Sequence, residues 1–498
     1  MARRASKISD RFEGECITLK AFLKKVLYAV GANLLSLVVS VLTTLIVPKF
    51  FGDAVEQYGY LQIYLFYVGY IGFFHLGWCD GIFLRDGGKR WDELDKPLYA
   101  GQFWLLSLLQ LIIAAMIAIC GYIFSPDADY RFICFAIGIN VLIYLPRTML
   151  AYYLQTTNRI KEYSSITTIG RTIYGVSIIV TVLFLSKSYK HFVIGDIIGK
   201  TIALFVSILW CKDIVIKTKP SPIKITFREA KINISVGIKL LFANIASMLV
   251  TGIVQWGIQT KWDVATYGKI SFTLSVSNLL LVFISAVALV LYPTLRRTNQ
   301  DNLTGIYNIL RNVLMVPMLG CLVVYYPVEL ILSHWLPQYA ESMHYMAILF
   351  PMCIYAAKNT LLINTYLNVC RMEKKTFLIN VIGVAVAAVT TAISVFVLQN
   401  LTLAMMTIVV NQMFRCILGE FILSKRMNVS VVKDNILEAV LTVLFISVNW
   451  FVGGWIGVAL YFAGYVIYLV MKYNDIKDTF HELKLLRKRN TEKPNGTD

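Results

Sequence analysis

Residues 24–90 read KKVLYAVGANLLSLVVSVLTTLIVPKFFGDAVEQYGYLQIYLFYVGYIGFFHLGWCDGIFLRDGGKR, and they show the pattern from which the class of fold can be predicted. It holds two apolar runs, 26–47 and 58–84, each long enough to cross the roughly 30 Å of hydrocarbon in a bilayer. A short turn containing Phe51 and Gly52 separates the runs. Backbone in lipid must satisfy its own hydrogen bonds, so the stretch predicts two membrane-spanning helices.

The same pattern continues along the 498-residue chain, which is 57% hydrophobic and only 15% charged. Soluble domains carry about 25% charged residues. We predict an all-α integral membrane fold with about fourteen spans, at 26–47, 58–84, 99–122, 132–155, 164–186, 192–211, 233–258, 266–292, 309–326, 344–369, 376–397, 401–424, 435–452 and 455–471. The polar, basic start before the first run indicates a retained span, not a cleaved signal peptide.

Basic residues are distributed unevenly between the two sides of these spans. Of the 47 Lys and Arg residues, 35 fall in segments on one side, five on the other and seven inside spans. Cytoplasmic segments of membrane proteins are enriched in Lys and Arg. We therefore expect both termini in the cytoplasm, and topology explains the net charge of +18 without a nucleic-acid partner.

Two short matches indicate an internal repeat. ANLLS at 32–36 matches ANIAS at 243–247, and Tyr58-Gly59 matches Tyr267-Gly268, at offsets of 211 and 209 residues. Two lobes in parallel orientation are an arrangement found in transporters. We predict a six-helix lobe over 1–211, a basic linker over 212–232, a second six-helix lobe over 233–424, two further spans over 425–473 and a basic cytoplasmic tail over 474–498.

The first two spans resemble those of a known family. Their basic start, polar-punctuated first span, Gly-containing turn, Tyr-Gly opening of span 2 and Gly-rich inner end look like the polysaccharide transporter family (Wzx-type) of lipid-linked oligosaccharide flippases. That family belongs to the MOP exporter superfamily, with the multidrug-and-toxin extruders (MATE) and the lipid II flippases. The resemblance implies V-shaped lobes around a central cavity that opens alternately to each side.

The resemblance also implies a substrate, a location and partners. The substrate would be an oligosaccharide repeat unit of O-antigen, capsule or exopolysaccharide on a polyprenyl pyrophosphate such as undecaprenyl pyrophosphate. The location would be the bacterial cytoplasmic (inner) membrane. The partners would be the lipid-linked glycan, membrane lipids and the polysaccharide polymerase machinery.

Seven cations lie inside the predicted spans, where each costs about 2.5–3.5 kcal/mol at a helix centre. Arg offers a planar fork and Lys a point charge to the phosphate oxygens of a pyrophosphate. The first candidates for holding it are Arg147, Arg171, Lys358 and Arg415. Each has an alternative role as a structural charge that pairs with a carboxylate or reaches a headgroup.

Secondary candidates are three cations and three amides. Lys200 follows Asp196 by four residues, a spacing that favours pairing on one helix face, while Lys239 and Lys269 lie near helix ends. The amides Asn33, Asn244 and Asn359 suit sugar hydroxyls, although amides also bond between membrane helices.

Asp80 and His75 are candidates for ion coupling, with H+, Na+ or an anion as the coupling ion. The alternatives are a packed histidine bound to a neighbouring carbonyl, and an aspartate paired with Arg85 or Arg171. We expect no other cofactor and no metal, because the nine cysteines form no CxxC pair.

The sequence predicts a transporter and not an enzyme. Asp127-Ala128-Asp129 spells the DxD of metal-dependent glycosyltransferases, but its loop is about nine residues long. The longest predicted external loop is 327–343, which is too short for a catalytic domain, and no nucleotide-binding motif occurs. A lipid II-type flippase and a MATE-like drug/cation antiporter stay open as alternatives. A membrane polysaccharide polymerase or ligase is less favoured.

Overall fold

The computed structural model describes residues 35–296, 303–479 and 481, except the side chains at 280 and 282–296. These residues form helices and turns, with no strand among them. The helices are α1 (Leu35–Phe51), α2 (Val55–Tyr70), α3 (Trp78–Asp86), α4 (Lys96–Phe124), α5 (Ala128–Thr156), α6 (Ile160–Phe184), α7 (Tyr189–Trp210), α8 (Ile223–Lys261), α9 (Val264–Arg296), α10 (Leu303–Trp335), α11 (Ala340–Leu349), α12 (Met352–Val369), α13 (Glu373–Val397), α14 (Leu401–Met427), α15 (Val432–Phe451) and α16 (Gly454–Met471). Short helical turns lie at Ile71–His75, Trp91–Glu93, Lys212–Val215 and Pro337–Tyr339.

Ten helices within the described ranges are long and apolar enough to cross a membrane, or eleven if the bent pair around Pro351 is one span. They are α4 to α8, α10 and α13 to α16. The all-α membrane fold is therefore confirmed, and the protein is a multi-pass membrane protein. The count of fourteen and the cytoplasmic termini stay predictions. The described residues of the predicted spans are mostly helical, although the spans 58–84 and 344–369 are each interrupted by a turn.

Two predicted connections are partly helical. Helix α8 begins at Ile223, directly after Pro222, so the second half of the predicted linker belongs to a 39-residue helix. Helix α10 runs to Trp335 through a tighter turn at Cys321–Val324, which takes in much of the predicted external loop. Hydropathy detects the part of a helix that lies in lipid and misses polar turns beyond it.

Polar side chains fix several helix starts. The Asp95 carboxylate accepts from Leu98 N at 3.3 Å at the start of α4. The Asp127 carboxylate accepts from Tyr130 N at 2.7 Å at the start of α5. These contacts satisfy amides that have no partner within the helix. Since Asp129 also pairs with Lys190 at 2.9 Å, both carboxylates of the DxD tripeptide have structural partners.

The chain divides into two compact units. Of the described residues, unit 1 holds 35–42, Tyr67–Leu185 and Lys190–Lys239. Unit 2 holds Thr43–Phe66, Ser186–Tyr189 and the described residues from Leu240 onward. The predicted lobe boundaries at 211 and 233 stay predictions.

Glycines allow close helix approach inside each unit. In unit 1, a Cβ on Gly237 of α8 would lie 2.0 Å from Gly77 O, so a larger residue would push α8 away from the start of α3. In unit 2, a Cβ on Gly268 would lie 2.8 Å from Gly59 Cα. Small residues permit such contacts between membrane helices. The two Tyr-Gly pairs that mark the predicted repeat therefore lie against each other in unit 2.

Candidate functional site

Three of the seven predicted cations come together in unit 1. Arg147 lies on α5 directly after Pro146, Arg171 on α6 and Lys200 on α7. Arg171 and Asp196 are close enough to Arg147 to interact with it electrostatically, and both arginines act on Lys200 in the same way. We call Arg147, Arg171, Lys200 and Asp196 the cationic cluster. Its three cations and one carboxylate give a formal charge of +2.

Lys200 has the best-defined partners in the cationic cluster. Its ammonium lies 2.5 Å from Asp196 Oδ2, as the spacing of four residues predicts, and donates to Asn140 Oδ1 at 2.8 Å. The Tyr144 ring centroid is 4.8 Å from the Arg147 guanidinium and 5.9 Å from Lys200 Nζ. The electron-rich face of this ring stabilises both cations.

The two arginines of the cluster have no carboxylate partner among the described residues. Within the described part of the chain, neither guanidinium forms a salt bridge, and Arg147 Nε is buried without a hydrogen-bond partner. Arg171 is exposed on its helix. A buried polar group without a partner costs free energy, and a charged one costs more. The cluster can therefore accept an anion, which would supply the missing partner.

Lys358, a first candidate, has a different environment in unit 2. Its side chain is 0% exposed at the start of a π-helical segment, Lys358–Asn364. The ammonium lies 2.7 Å from Glu420 Oε2 on α14 and 2.6 Å from Glu438 Oε2 on α15. This is the paired structural role that the sequence left open for it. A substrate contact by Lys358 stays a prediction.

The pairs of Lys358 belong to a larger set. Arg311 on α10 donates to Glu420 at 2.8 Å, lies 3.1 Å from Glu438 and also contacts Asp434. Lys472 lies 2.8 Å from Asp434 and, at the exposed edge, 3.1 Å from Asp475. We call Arg311, Lys358, Glu420, Asp434, Glu438 and Lys472 the ion-pair network. Its three cations and three carboxylates cancel in formal charge.

Sequence reasoning missed most of this network. Arg311 and Lys472 were counted among the basic residues of the predicted cytoplasmic segments and not among the cations inside spans, and both are only 2% exposed. Arg311 is the third residue of the predicted span 309–326, and helix α10 begins six residues before that span, so Arg311 lies well inside the helix and not at its end. Glu438 lies within the predicted span 435–452. A carboxylate inside an apolar run is the sequence signal that could have identified Glu438 as a functional or paired residue. A polar cavity of about 520 Å³ reaches the network at Arg311, Asp434 and Lys472.

Arg415 and Lys269 also lie in unit 2. Arg415 on α14 is 4% exposed and donates through Nη1 to the Ser247 carbonyl at 3.1 Å and to its hydroxyl at 3.0 Å. Its Nε is buried and has no partner among the described residues. Lys269 pairs with the exposed Glu341 at 2.9 Å. Arg415 thus retains capacity for an anion, whereas Lys269 forms a surface ion pair.

The remaining candidates are dispersed. Lys239 and Asn244 are exposed on α8. Asn359 is 2% exposed beside Lys358 in the π-helical segment. Asn33 lies outside the described residues. Sugar contacts by these amides stay predictions.

His75 and Asp80 meet at a break in the second predicted span. Helix α2 ends at Tyr70, a tighter turn runs to His75, and Gly77 with φ of 80° precedes α3. His75 Nε2 lies 3.9 Å from Asp80 Oδ2, and both side chains are buried. The Tyr152 hydroxyl donates to Asp80 Oδ1 at 3.2 Å. Their role in ion coupling stays a prediction.

The sequence also allowed Asp80 to pair with Arg85 and the His75 ring to bind a neighbouring carbonyl. The structure gives Arg85 and the His75 ring other partners. Arg85 lies 2.5 Å from Glu229 and also contacts Asn233, so it does not pair with Asp80. The His75 ring accepts from a backbone amide, Gly77 N at 3.0 Å, rather than binding a neighbouring carbonyl.

No known protein family and no curated protein matches the sequence. Solved structures match in fold. The lipid II flippase MurJ, in an inward closed conformation, gives a TM-score of 0.65 at 13% identity over 91% of this chain and 99% of that one. An inward-facing multidrug resistance MATE family transporter of the MOP superfamily gives 0.58 at 11% identity over 78% and 94%. A MATE structure in a bent conformation gives 0.52 at 10% identity over 80% and 93%. The chain therefore has the fold of MOP-superfamily transporters.

Proposed function

We propose that the protein is a flippase that moves polyprenyl-pyrophosphate-linked oligosaccharide repeat units across the bacterial cytoplasmic membrane by alternating access. The cationic cluster carries the proposal. Its formal charge is +2, and Arg147 and Arg171 have no carboxylate partner within the described part of the chain. A pyrophosphate diester brings two negative charges and many acceptor oxygens to such a site. Arginine forks match those oxygens in geometry as well as in charge.

Each member of the cluster has a part in this proposal. Arg147 and Arg171 would bind the phosphate oxygens directly. Lys200, already held by Asp196 and Asn140, would add positive potential without a direct contact. In unit 2, which is separate from the cluster, Arg415 has a donor without a partner among the described residues in its buried Nε, and Lys358 would hold the helices of that unit together through the ion-pair network. The polyprenyl tail would stay in lipid while the sugars cross with the protein.

The two alternative functions differ from this proposal, one in the charge that its binding site needs and the other in the glycan that it moves. A MATE-like drug/cation antiporter needs a site with excess negative charge, and the sign of the cationic cluster opposes it. A lipid II-type flippase would use the same pyrophosphate chemistry on a different glycan. The MurJ likeness is one of fold, so it leaves both glycans in contention.

The test is flipping of defined polyprenyl-pyrophosphate glycans, including lipid II, in proteoliposomes that contain the purified protein. We expect Arg147→Gln and Arg171→Gln to slow flipping about 10- to 100-fold, the equivalent of one lost charged hydrogen bond of about 1.5–3 kcal/mol. Lys161→Gln is the matched control, because Lys161 is an exposed cation in the first turn of the helix that carries Arg171. Normal rates in both arginine variants would contradict the proposal.

A stability measurement separates a binding role from a structural one. Arg147 forms no salt bridge among the described residues, and Asp196 would keep Lys200 as its partner, so Arg147→Gln should change the thermal unfolding midpoint in detergent little. A variant that flips slowly and unfolds early would instead indicate that Arg147 supports the fold.

A further inference from the structure

The break in the second predicted span is held by the His75 ring. Gly77 N donates to His75 Nδ1 at 3.0 Å, and a backbone N–H is always a donor. Nδ1 must therefore be free of a proton, and the ring is neutral with its proton on Nε2. That proton faces Asp80 Oδ2, 3.9 Å from the ring nitrogen.

With a neutral ring, the pair of side chains carries one negative charge, on Asp80. Among the described residues, the titratable groups that act on the pair are Tyr152 on α5, which donates to Asp80 at 3.2 Å, and Cys79 on α3. Helix α4 contributes the amide of Gln110, and α8 the backbone of Gly237. None of these is a cation. A buried carboxylate within a membrane span is costly without a positive partner, and binding one proton would neutralise the pair.

We propose that His75 and Asp80 form a proton-binding site whose occupancy changes the backbone at the break, and that the coupling ion of transport is H+. The coupling of H+ to transport rests on the proposed function, whereas the proton-binding site does not. One proton from water adds to the Nδ1 lone pair, and Gly77 N–H loses its acceptor. The ring becomes a cation beside the Asp80 carboxylate, so the pair is neutral. The bond that holds Gly77 in its left-handed conformation is absent from the protonated state.

Two substitutions of His75 test the roles of its two ring nitrogens separately. His75→Asn keeps an acceptor oxygen near the position of Nδ1 but does not titrate. His75→Gln places its amide near the position of Nε2 and leaves Gly77 N without an acceptor. His334→Asn is the matched control, because His334 is an exposed histidine in unit 2.

The first readout is hydrogen exchange of peptides covering residues 71–80, corrected for the intrinsic dependence of exchange on pH. In the wild type and in His334→Asn, we expect protection to fall about tenfold or more as pH drops from 8 to 4, a range that covers the usual titration of histidine and extends below it. His75→Asn should stay protected throughout, and His75→Gln unprotected throughout. A wild-type profile without dependence on pH would overturn the proton site, whatever the protein transports.

The second readout is transport in proteoliposomes under an imposed pH gradient or an imposed Na+ gradient. We expect the pH gradient to accelerate flipping several-fold in the wild type and not in His75→Asn or Asp80→Asn. Flipping driven by Na+ alone, and unchanged in His75→Asn, would overturn proton coupling and leave the proposed function standing. A proton-dependent exchange profile in a protein that flips no lipid-linked glycan would support the proton site and refute the proposed function.

Discussion

Replacing Lys358 with methionine tests whether the ion-pair network is structural. The Lys358 side chain is 0% exposed, with carboxylate oxygens at 2.7 Å and 2.6 Å. Methionine occupies a similar volume but removes the charge, so Arg311 and Lys472 would face three carboxylates. Breaking a buried ion pair by removing one partner costs about 3–5 kcal/mol, because a charge is left without compensation. We expect a loss of that size in the free energy of unfolding.

The assay is equilibrium unfolding in mixed detergent micelles, followed by tryptophan fluorescence. Lys269→Met is the matched control, since Lys269 is in the same unit and pairs with Glu341, which is 77% exposed. An exposed pair contributes less than about 1 kcal/mol, so this variant should unfold almost as the wild type does. The difference between the two variants isolates the effect of burial on the same residue type.

A second substitution tests the cause. Glu438→Gln in the Lys358→Met background restores the balance at two cations and two carboxylates, so it should recover about half or more of the lost free energy. A Lys358→Met protein as stable as the wild type would refute the structural role of Lys358 in the ion-pair network. If that protein also failed to flip substrate, Lys358 would be a substrate contact, as the sequence alone predicts.

Two further predictions concern backbone and caps. Gly77→Ala should lower stability more than Gly88→Ala. Both glycines have positive φ, but only a Cβ on Gly77 would meet backbone, at 2.6 Å from Ile238 N. Thermal unfolding of the two variants checks this prediction, and equal losses of stability would contradict it. Asp263→Ala should cost about 1 kcal/mol at neutral pH, since its carboxylate accepts from Thr266 N at 3.2 Å at the start of α9. The Thr266 hydroxyl holds the pKa of Asp263 below its usual 3.8, so this stabilisation is complete above about pH 4 and is lost as pH falls through the lowered pKa. Unfolding free energies of wild type and variant should therefore converge only in stronger acid, and a gap that closes near pH 6 would contradict the cap.

The parts of the protein that sequence predicts are those set by local spacing. Apolar runs place the helices, because the thickness of the bilayer fixes their length. The Lys200–Asp196 pair follows from residues four apart on one helix, and it forms at 2.5 Å. His75 and Asp80 are five apart, so their meeting was also within reach of sequence, although the break between them was not.

The ion-pair network was beyond sequence because its members come from separated helices. Arg311 and Glu438 lie 127 positions apart on α10 and α15, and nothing in either segment names the other as partner. Hydropathy also places helix ends by apolar content, which put Arg311 near the start of a predicted span although α10 begins at Leu303. Distant pairing of this kind depends on tertiary packing, and no local pattern records it.

The same limit explains why cations in spans are ambiguous as functional signals. Lys358 and Arg147 both lie in predicted spans, yet carboxylates from α14 and α15 reach the first, and no carboxylate forms a salt bridge with the second within the described residues. The number of carboxylates that packing brings near a cation therefore decides whether that cation has a structural role or is left to bind an anion.

A lipid headgroup phosphate is a second anion that could bind the exposed Arg171. A phosphodiester headgroup carries one negative charge, however, and would leave the cationic cluster at +1, whereas a pyrophosphate diester would neutralise it. Competition by vesicles rich in anionic phospholipid should therefore weaken glycan flipping less than competition by free polyprenyl pyrophosphate, and the reverse order would assign the cluster to headgroups.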